Sequence, residues 1–424
     1  MASGPLDGVR VLEFTQIIAG PFGCMMLADM GAEVIKVEPP GGEPWRLFSQ
    51  FMPGESKAYQ ELNRGKQSLV LQLADPRAQD VVHRLIPSID VVVINYRPDV
   101  PARLNIDYET LSAIKPDLIY VDNTAFGRKG PMAHRPGYDI VVQAVSGLMV
   151  GEGKFEEDGS PKAISSTAIA DYGTGLAVAW ATCAALFHRE RTGEGQMIET
   201  SLLATALAFQ GGAIMEHPIA DAAFRAPARE RRRELQAEGA PYRELVEARS
   251  PMGAYYGNIY YRPFRTSDGA VVIGSLSPTL WAKVRTALDT DFLGFADPDR
   301  DPNDEAWVAM ATKQLATIEA HVATKTTAEW LAIFEREGVP AGAVQFPEDM
   351  SEDPQALAND LIVELDHELS GPQKMVAPIL KFAKTPLEAQ GAAPRLGRDT
   401  DRYLAEAGLD AAAVEALRSA GVIE

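Results

Sequence analysis

Val9-Arg10-Val11-Leu12-Glu13-Phe14, then the helical stretch of residues 20–31, then Val34-Ile35-Lys36-Val37 set the pattern that decides the fold of this chain. The alternation runs on to about residue 122. An amphipathic stretch covers residues 76–86, the run Asp90-Val91-Val92-Val93-Ile94 follows, a second helical stretch covers 108–114, and Leu118-Ile119-Tyr120-Val121 comes next. Short β-branched runs separated by helical ones predict βαβ units, hence an α/β fold with a Rossmann-like, doubly wound parallel sheet. Ligands of such sheets bind beyond the carboxyl ends of the strands. Neither common nucleotide signature stands there. The first strand leads into Thr15-Gln16-Ile17-Ile18-Ala19-Gly20-Pro21 rather than G-x-G-x-x-G, and Gly65-Lys66 lacks the earlier glycine and the following Ser/Thr of a phosphate loop.

The chain has 424 residues, enough for two or three domains, with 46% apolar and 23% charged residues, as in an ordinary globular protein. Lys+Arg is 40 against Asp+Glu 59, a net charge of -19 that repels phosphate backbones and argues against a nucleic-acid partner. Cys24 and Cys183 both lie in apolar, small-residue runs and read as buried free thiols, which fits a reducing compartment. The N-terminus shows no basic region followed by an apolar core, and the longest apolar run, residues 176–187, falls short of the ~20 residues of a membrane span. The expectation is a cytoplasmic protein with no membrane partner.

After a loop at Gly127-Arg128-Lys129-Gly130-Pro131 and the stretch Arg135-Pro136-Gly137-Tyr138-Asp139, the chain reaches Ser165-Ser166-Thr167-Ala168-Ile169-Ala170-Asp171-Tyr172-Gly173-Thr174-Gly175. Three hydroxyl residues stand as candidate N-caps, and from residue 176 to 187 only Thr182 is plainly polar, so Asp171 is expected in the first turn of a buried helix ending near His188-Arg189-Glu190-Arg191. A carboxylate there ordinarily serves the macrodipole and the free N–H groups. Gly173, Thr174 and Gly175 argue for more: each interior glycine costs a helix about 1 kcal/mol, and small residues leave room for a ligand. Asp171 could then act as a nucleophile or as a charge partner, and spacing does not choose between them.

The expected domain plan is a large domain over residues 1–215, a charged linker over 216–255, a small α+β domain over 256–335, and a return to the large domain over 336–424. The linker carries Arg229-Glu230-Arg231-Arg232-Arg233-Glu234, read as a solvated helix. The small domain opens on a hairpin turning at Ser267-Asp268-Gly269. The six histidines are scattered without metal-ligand spacing, no G-x-S-x-G occurs, and neither cysteine sits in a nucleophile motif. Carboxylates remain as the reactive groups, and no metal is expected.

Several ordered motifs together resemble one family. They are Leu6-Asp7-Gly8-Val9-Arg10-Val11-Leu12-Glu13, Ala19-Gly20-Pro21, Leu27-Ala28-Asp29-Met30-Gly31-Ala32-Glu33, Asn63-Arg64-Gly65-Lys66, Arg135-Pro136-Gly137-Tyr138-Asp139, the Ala170-Asp171 stretch, Arg191-Thr192-Gly193-Glu194-Gly195-Gln196, and Leu396-Gly397-Arg398-Asp399-Thr400. They look like the class III CoA-transferases, which include formyl-CoA and carnitine CoA-transferases and the related α-methylacyl-CoA racemases. The resemblance runs almost end to end, the linker apart. It implies an interlocked homodimer that takes acyl-CoA and a small carboxylic acid, with coenzyme A as substrate and no permanently bound cofactor. It implies Asp171 as nucleophile, carrying first the acyl group as an anhydride and then CoA as a thioester.

By position, the implied CoA contacts fall on Ile18, Ala19, Leu71, Gln72, Leu73, Ala74, Asn95, Tyr96, Arg97, Arg103, Gly137, Tyr138 and Asp139. Arg97 and Arg103 suit phosphates through charge-assisted bonds. The chain departs from the pattern at several places. Tyr138 stands where the racemases carry a proton-transferring His, and tyrosine, with a reference pKa near ~10, is a poor base at neutral pH. Ile18 replaces the glutamine of formyl-CoA transferases, with Gln16 as a possible substitute, and Pro39 replaces an arginine that touches CoA. Their glycine-rich flexible loop has no counterpart; Ser250-Pro251-Met252-Gly253-Ala254-Tyr255-Tyr256-Gly257 is the nearest segment, with its role open. Transfer is the leading reading, ahead of a 2-methylacyl-CoA racemase or epimerase and of a CoA-binding protein without turnover.

Overall fold

The computed structural model describes residues 4–222, 225–248, 257–301 and 304–424. These form two compact units, one of residues 1–216 with 354–424 and one of residues 217–353.

The first unit is built on six parallel strands: β1 (Arg10–Phe14), β2 (Glu33–Glu38), β3 (Gln67–Val70), β4 (Val91–Ile94), β5 (Ile119–Thr124) and β6 (Met197–Ser201). Their order is β3-β2-β1-β4-β5-β6. The chain starts in the middle, winds outward to one edge and then to the other, as the alternating pattern predicts. Val11 pairs with both Val34 and Val91, and Val93 with Val121.

Side chains alternate across the sheet. Leu12, Phe14, Val92 and Ile94 face one core, and Val11, Val91, Val93 and Val121 the other. Because both faces are covered, β4 is buried throughout, and for that reason it reads as an unbroken apolar run.

One face is covered by α1 (Ala19–Asp29), with Cys24 and Leu27 in its core. The other is covered by α2 (Pro76–Leu85) and α3 (Tyr108–Ile114). Asp75 and Asp107 cap those two helices by accepting the backbone N–H of Arg77 and Thr110. Between β5 and β6 come α4 (Asp139–Val145) and α5 (Ile169–Thr192), and α6 (Leu202–Ala208) follows β6 directly.

At 24 residues α5 is twice the apolar run seen in the sequence, and by length and composition alone it could cross a membrane. Its bounds agree with the expected helix, with Asp171 in the first turn and the end at Thr192, because residues on both sides of the apolar run continue the helix.

After one helical turn at Pro218–Asp221, the second unit carries α7 (Arg225–Glu238) and α8 (Tyr242–Glu247). It continues with the antiparallel strands β7 (Tyr261–Arg265) and β8 (Ala270–Gly274), then α9 (Pro278–Leu288), α10 (Glu305–Val322), α11 (Thr327–Glu337) and β9 (Ala341–Ala343). The hairpin turns where expected, with Arg265 opposite Ala270, and its core gathers Phe264, Val271, Ile273, Trp330 and Phe334.

The expected plan needs two corrections. Residues 216–255 are not a bare linker, since α7 and α8 cluster with the second unit; α7 buries only Leu235 and is otherwise the solvated helix its charges imply. The return begins at residue 354 rather than 336, because β9 pairs with β8 and so keeps residues 341–343 in the second unit. Residues 250–256, most of the segment nearest to the flexible loop of formyl-CoA transferases, lie outside the described residues.

The returning chain adds β10 (Ile362–His367), β11 (Gly371–Val376), α12 (Thr400–Glu406) and α13 (Ala411–Ser419). Its approach closes the edge of the parallel sheet. On β3, Ser68 N–H donates to Asp399 Oδ2 at 2.8 Å and Val70 N–H to Thr400 Oγ1 at 3.0 Å, satisfying donors that an open edge would expose. Tyr403, Leu404, Val422 and Ile423 then join the core.

Candidate active site

Asp171 occupies the first turn of α5, but the three preceding hydroxyl residues do not cap it: Ala168 is the N-cap residue and makes no side-chain bond. The cap comes from α4 instead. Asp139 Oδ1 accepts the N–H groups of Ala170 at 2.7 Å and Asp171 at 3.2 Å. Asp139 is in turn held by the Gln143 amide, which also bonds Ile164 through both its ends.

A buried carboxylate thus supplies the helix start, which leaves the Asp171 side chain free of that duty. Asp171 is 9% exposed. Burial, and secondly the charge of Asp139, push its pKa up to about 7.

The glycines beside it serve packing rather than ligand access. A Cβ on Gly173 would lie 2.5 Å from the Phe209 ring, and one on Gly175 2.8 Å from the Ala19 carbonyl oxygen. On α1, a Cβ on Gly23 would lie 2.8 Å from the Gly175 carbonyl oxygen. The pair Gly23 and Gly175 therefore lets α1 and α5 cross at backbone contact, which brings Ala19 to the level of Asp171.

The space for a ligand opens elsewhere, beyond the carboxyl ends of β1, β4 and β5. A cavity of about 280 Å³ has Asp171 in its wall, together with Ile17, Ile18 and Ala19 from the β1–α1 turn, Asn95, Tyr96 and Arg97 after β4, and Gly137 and Tyr138 before α4. The β1–α1 turn is fixed from several sides. Asn95 accepts from Gln16 N–H at 3.0 Å and donates to its carbonyl at 2.8 Å. Lys36 Nζ donates to the Thr15 carbonyl at 2.8 Å, and Ile17 N–H donates to Glu43 Oε2 at 2.7 Å.

Residues 6–400 match the model of CoA-transferase family III. The chain belongs to this family. It is 34% identical over 424 residues to succinyl-CoA:glutarate CoA-transferase of Mus musculus, covering 99% of this chain and 90% of that one. It is 34% identical over 362 residues to acetyl-CoA:oxalate CoA-transferase of Acetobacter aceti, covering 85% and 86%. Among solved structures, a CAIB/BAIF family protein from Brucella suis superposes with a TM-score of 0.73 at 29% identity, covering 96% of this chain and 100% of that one. Rv3272 of Mycobacterium tuberculosis does so with 0.74 at 27%, covering 95% and 100%.

The structure of this CoA-transferase sorts the implied contacts. Ile18, Ala19, Asn95, Tyr96, Arg97, Gly137 and Tyr138 share the cavity with Asp171. Asp139 stands behind it as the cap of α5 rather than in its lining.

Leu71, Gln72, Leu73 and Ala74 are not in that wall. Leu71 and Leu73 are core residues packed with Val422 and Ile423, Gln72 N–H donates to the Val422 carbonyl at 2.8 Å, and the side chains of Gln72 and Ala74 face outward. Arg103 is also outside the lining: it lies 3.3 Å from Asp99, which Arg97 approaches at 3.6 Å, so one carboxylate stands between the two arginines.

Gln16 does reach the cavity wall, beside the isoleucine that replaces the family's glutamine. Asn123 and Thr124, at the end of β5, were not anticipated. Asn123 is buried with no partner for its Oδ1. Its signal was available, since it follows an apolar run at the carboxyl end of a strand, where α/β ligands bind.

Proposed function

We propose that this enzyme moves CoA from an acyl-CoA donor to a carboxylic acid acceptor, with Asp171 as the covalent carrier. The Asp171 carboxylate attacks the thioester carbonyl, the C–S bond breaks, and CoA leaves as thiolate from a mixed anhydride. The thiolate attacks the aspartyl carbonyl of that anhydride, releasing the donor acid and leaving an aspartyl-CoA thioester. The acceptor carboxylate attacks this thioester and expels the thiolate again. Attack of the thiolate on the acceptor's acyl carbonyl yields the new acyl-CoA and restores the carboxylate.

One observation carries the reading: a buried carboxylate, relieved of capping by Asp139, faces a cavity at the carboxyl end of a parallel sheet. Partial desolvation suits a nucleophile, since a fully hydrated carboxylate must first shed water. Arg97, exposed at the cavity, suits the CoA phosphates. Tyr138, where a racemase would carry its histidine, favours transfer over α-proton exchange.

The relatives named for glutarate and oxalate make dicarboxylates the first acceptors to try. An interlocked homodimer is part of the proposal. It is supported by the outward apolar side chains Leu176, Trp180 and Phe187 of α5, of which Trp180 is 68% exposed. Two free cysteines fit a reducing compartment, and the cytoplasm is the proposed location.

The test is incubation with a panel of acyl-CoAs, succinyl-CoA and acetyl-CoA among them, and dicarboxylic acids, followed by mass detection of new thioesters and of acyl or CoA adducts on the peptide bearing Asp171. Transfer should vanish in Asp171→Ala with CoA binding retained. Transfer at the wild-type rate in that variant refutes the assignment.

A further inference from the structure

Ile17 has a φ of 73°, in the left-handed region, where a β-branched side chain is strained by on the order of 1–3 kcal/mol. It lines the cavity beside Asp171, yet the group that holds it comes from outside that wall. Glu43, almost fully buried in the turn after β2, accepts the Ile17 N–H at 2.7 Å through Oε2, and its Oε1 lies 2.9 Å from Lys36 Nζ. Lys36 is itself paired with Glu13 at 3.1 Å, and Glu13 with Lys66 at 2.8 Å. With Lys36 bonded to the Thr15 carbonyl and Asn95 to both backbone groups of Gln16, the turn is gripped at three successive residues.

We infer that Glu43 is a positioning residue for transfer: it holds Ile17 in its left-handed conformation and thereby fixes the wall formed by Ile17, Ile18 and Ala19 against the acyl group on Asp171. The inference rests on the proposed reading of this cavity as the acyl-CoA site. Glu43 does not line the cavity. It acts through the backbone, and the charged pairs beneath keep its carboxylate in place. Were this grip absent, Ile17 would relax to negative φ, and the start of α1 would move relative to α5.

The test is a double-mutant cycle between Glu43→Ala and Ile17→Gly, because glycine adopts positive φ without strain and no longer needs the grip. Displacing a wall by about an ångström can reduce turnover by as much as ~100-fold. Glu43→Ala is therefore expected to lower kcat by at least about ten-fold in the wild-type background, but by less than about three-fold with Gly at position 17. Glu43→Gln, which keeps an acceptor for the Ile17 N–H, should stay within about three-fold of wild type.

A purely structural role would lower the melting temperature without this dependence on residue 17. Equal fold-losses in both backgrounds, or full kcat in Glu43→Ala, overturn the inference. Should Glu43→Ala not fold, Glu43→Met, of similar length and without an acceptor oxygen, takes its place in the cycle. Acyl labelling of wild-type Asp171 separates the two levels: labelling with an additive cycle sinks only the role of Glu43, whereas no labelling and no transfer in the wild type sinks the reading of the site.

Discussion

Asp139 Oδ1 accepts the backbone N–H of Asp171 at 3.2 Å, so the residue that steadies the start of α5 also places a negative charge beside the carboxyl it positions. Burial and that charge together raise the Asp171 pKa to about 7. One side chain carries the structural duty of a helix-end acid, which leaves the other available for chemistry.

The pH dependence of activity follows from this. In the proposed mechanism the attacking form is the carboxylate, so kcat/KM should rise with pH to a midpoint near 7 and then level, as read from initial rates across pH 5 to 9. A midpoint near 4 would show that the pocket does not disfavour the charge.

Stability should move the other way. A carboxyl whose folded pKa lies above its unfolded one binds its proton more tightly when folded, so its contribution is fully present below about pH 4 and is lost as pH rises through about 7. Asp171→Asn should therefore be more stable than wild type at pH 8, by at most about 4 kcal/mol, with the difference vanishing toward pH 4. Denaturant midpoints at several pH values measure it.

Asp139→Asn keeps an oxygen for the N–H groups of Ala170 and Asp171 but removes the neighbouring charge. The activity midpoint should shift to lower pH, at some loss of stability because the new amide faces the donor of Gln143. Asp139→Ala removes the cap as well and should cost about 1 kcal/mol or more.

Gly175→Ala places a methyl group 2.8 Å from the Ala19 carbonyl oxygen, which is backbone and cannot swing aside. Helices α1 and α5 must part, with a loss of about 1–3 kcal/mol and of transfer activity. Wild-type activity with an unchanged melting temperature would show that the crossing is looser than its geometry implies.

Asp99 lies near both Arg97 and Arg103. Asp99→Ala should tighten CoA binding by a few-fold in low salt and less in high salt, because exposed charges are screened. Arg97→Ala should raise the KM for acyl-CoA with little change in kcat. Titrations of CoA at two ionic strengths test both.

The six-stranded sheet was legible because both its faces are buried, so strands such as Val91-Val92-Val93-Ile94 stand out as apolar runs between amphipathic helices. Asp171 was legible as a helix-start acid at the head of an apolar run. The reason for its glycines was not: Gly173 and Gly175 make room for Phe209 and for Ala19, contacts across 36 and 156 positions of sequence that no local pattern encodes. The misplaced return point has a similar origin. The pairing of Ala341–Ala343 with β8 is a distant ladder of three residues, too short to announce itself.

The sequence by itself determined the alternating elements, the candidate carboxylate and the family motifs, because periodicity, turn chemistry and side-chain identity are properties of neighbouring positions. Only the tertiary structure decided that Asp139 rather than a nearby serine caps α5, that Leu71 and Leu73 belong to the core under the returning C-terminus, and that Glu43 reaches the turn beside Asp171. Each of these is a hydrogen bond or a burial between residues far apart in the chain. Which distant partner satisfies a buried polar group, or covers an apolar one, depends on how helices cross and strands stack, and that is settled only when the whole unit packs.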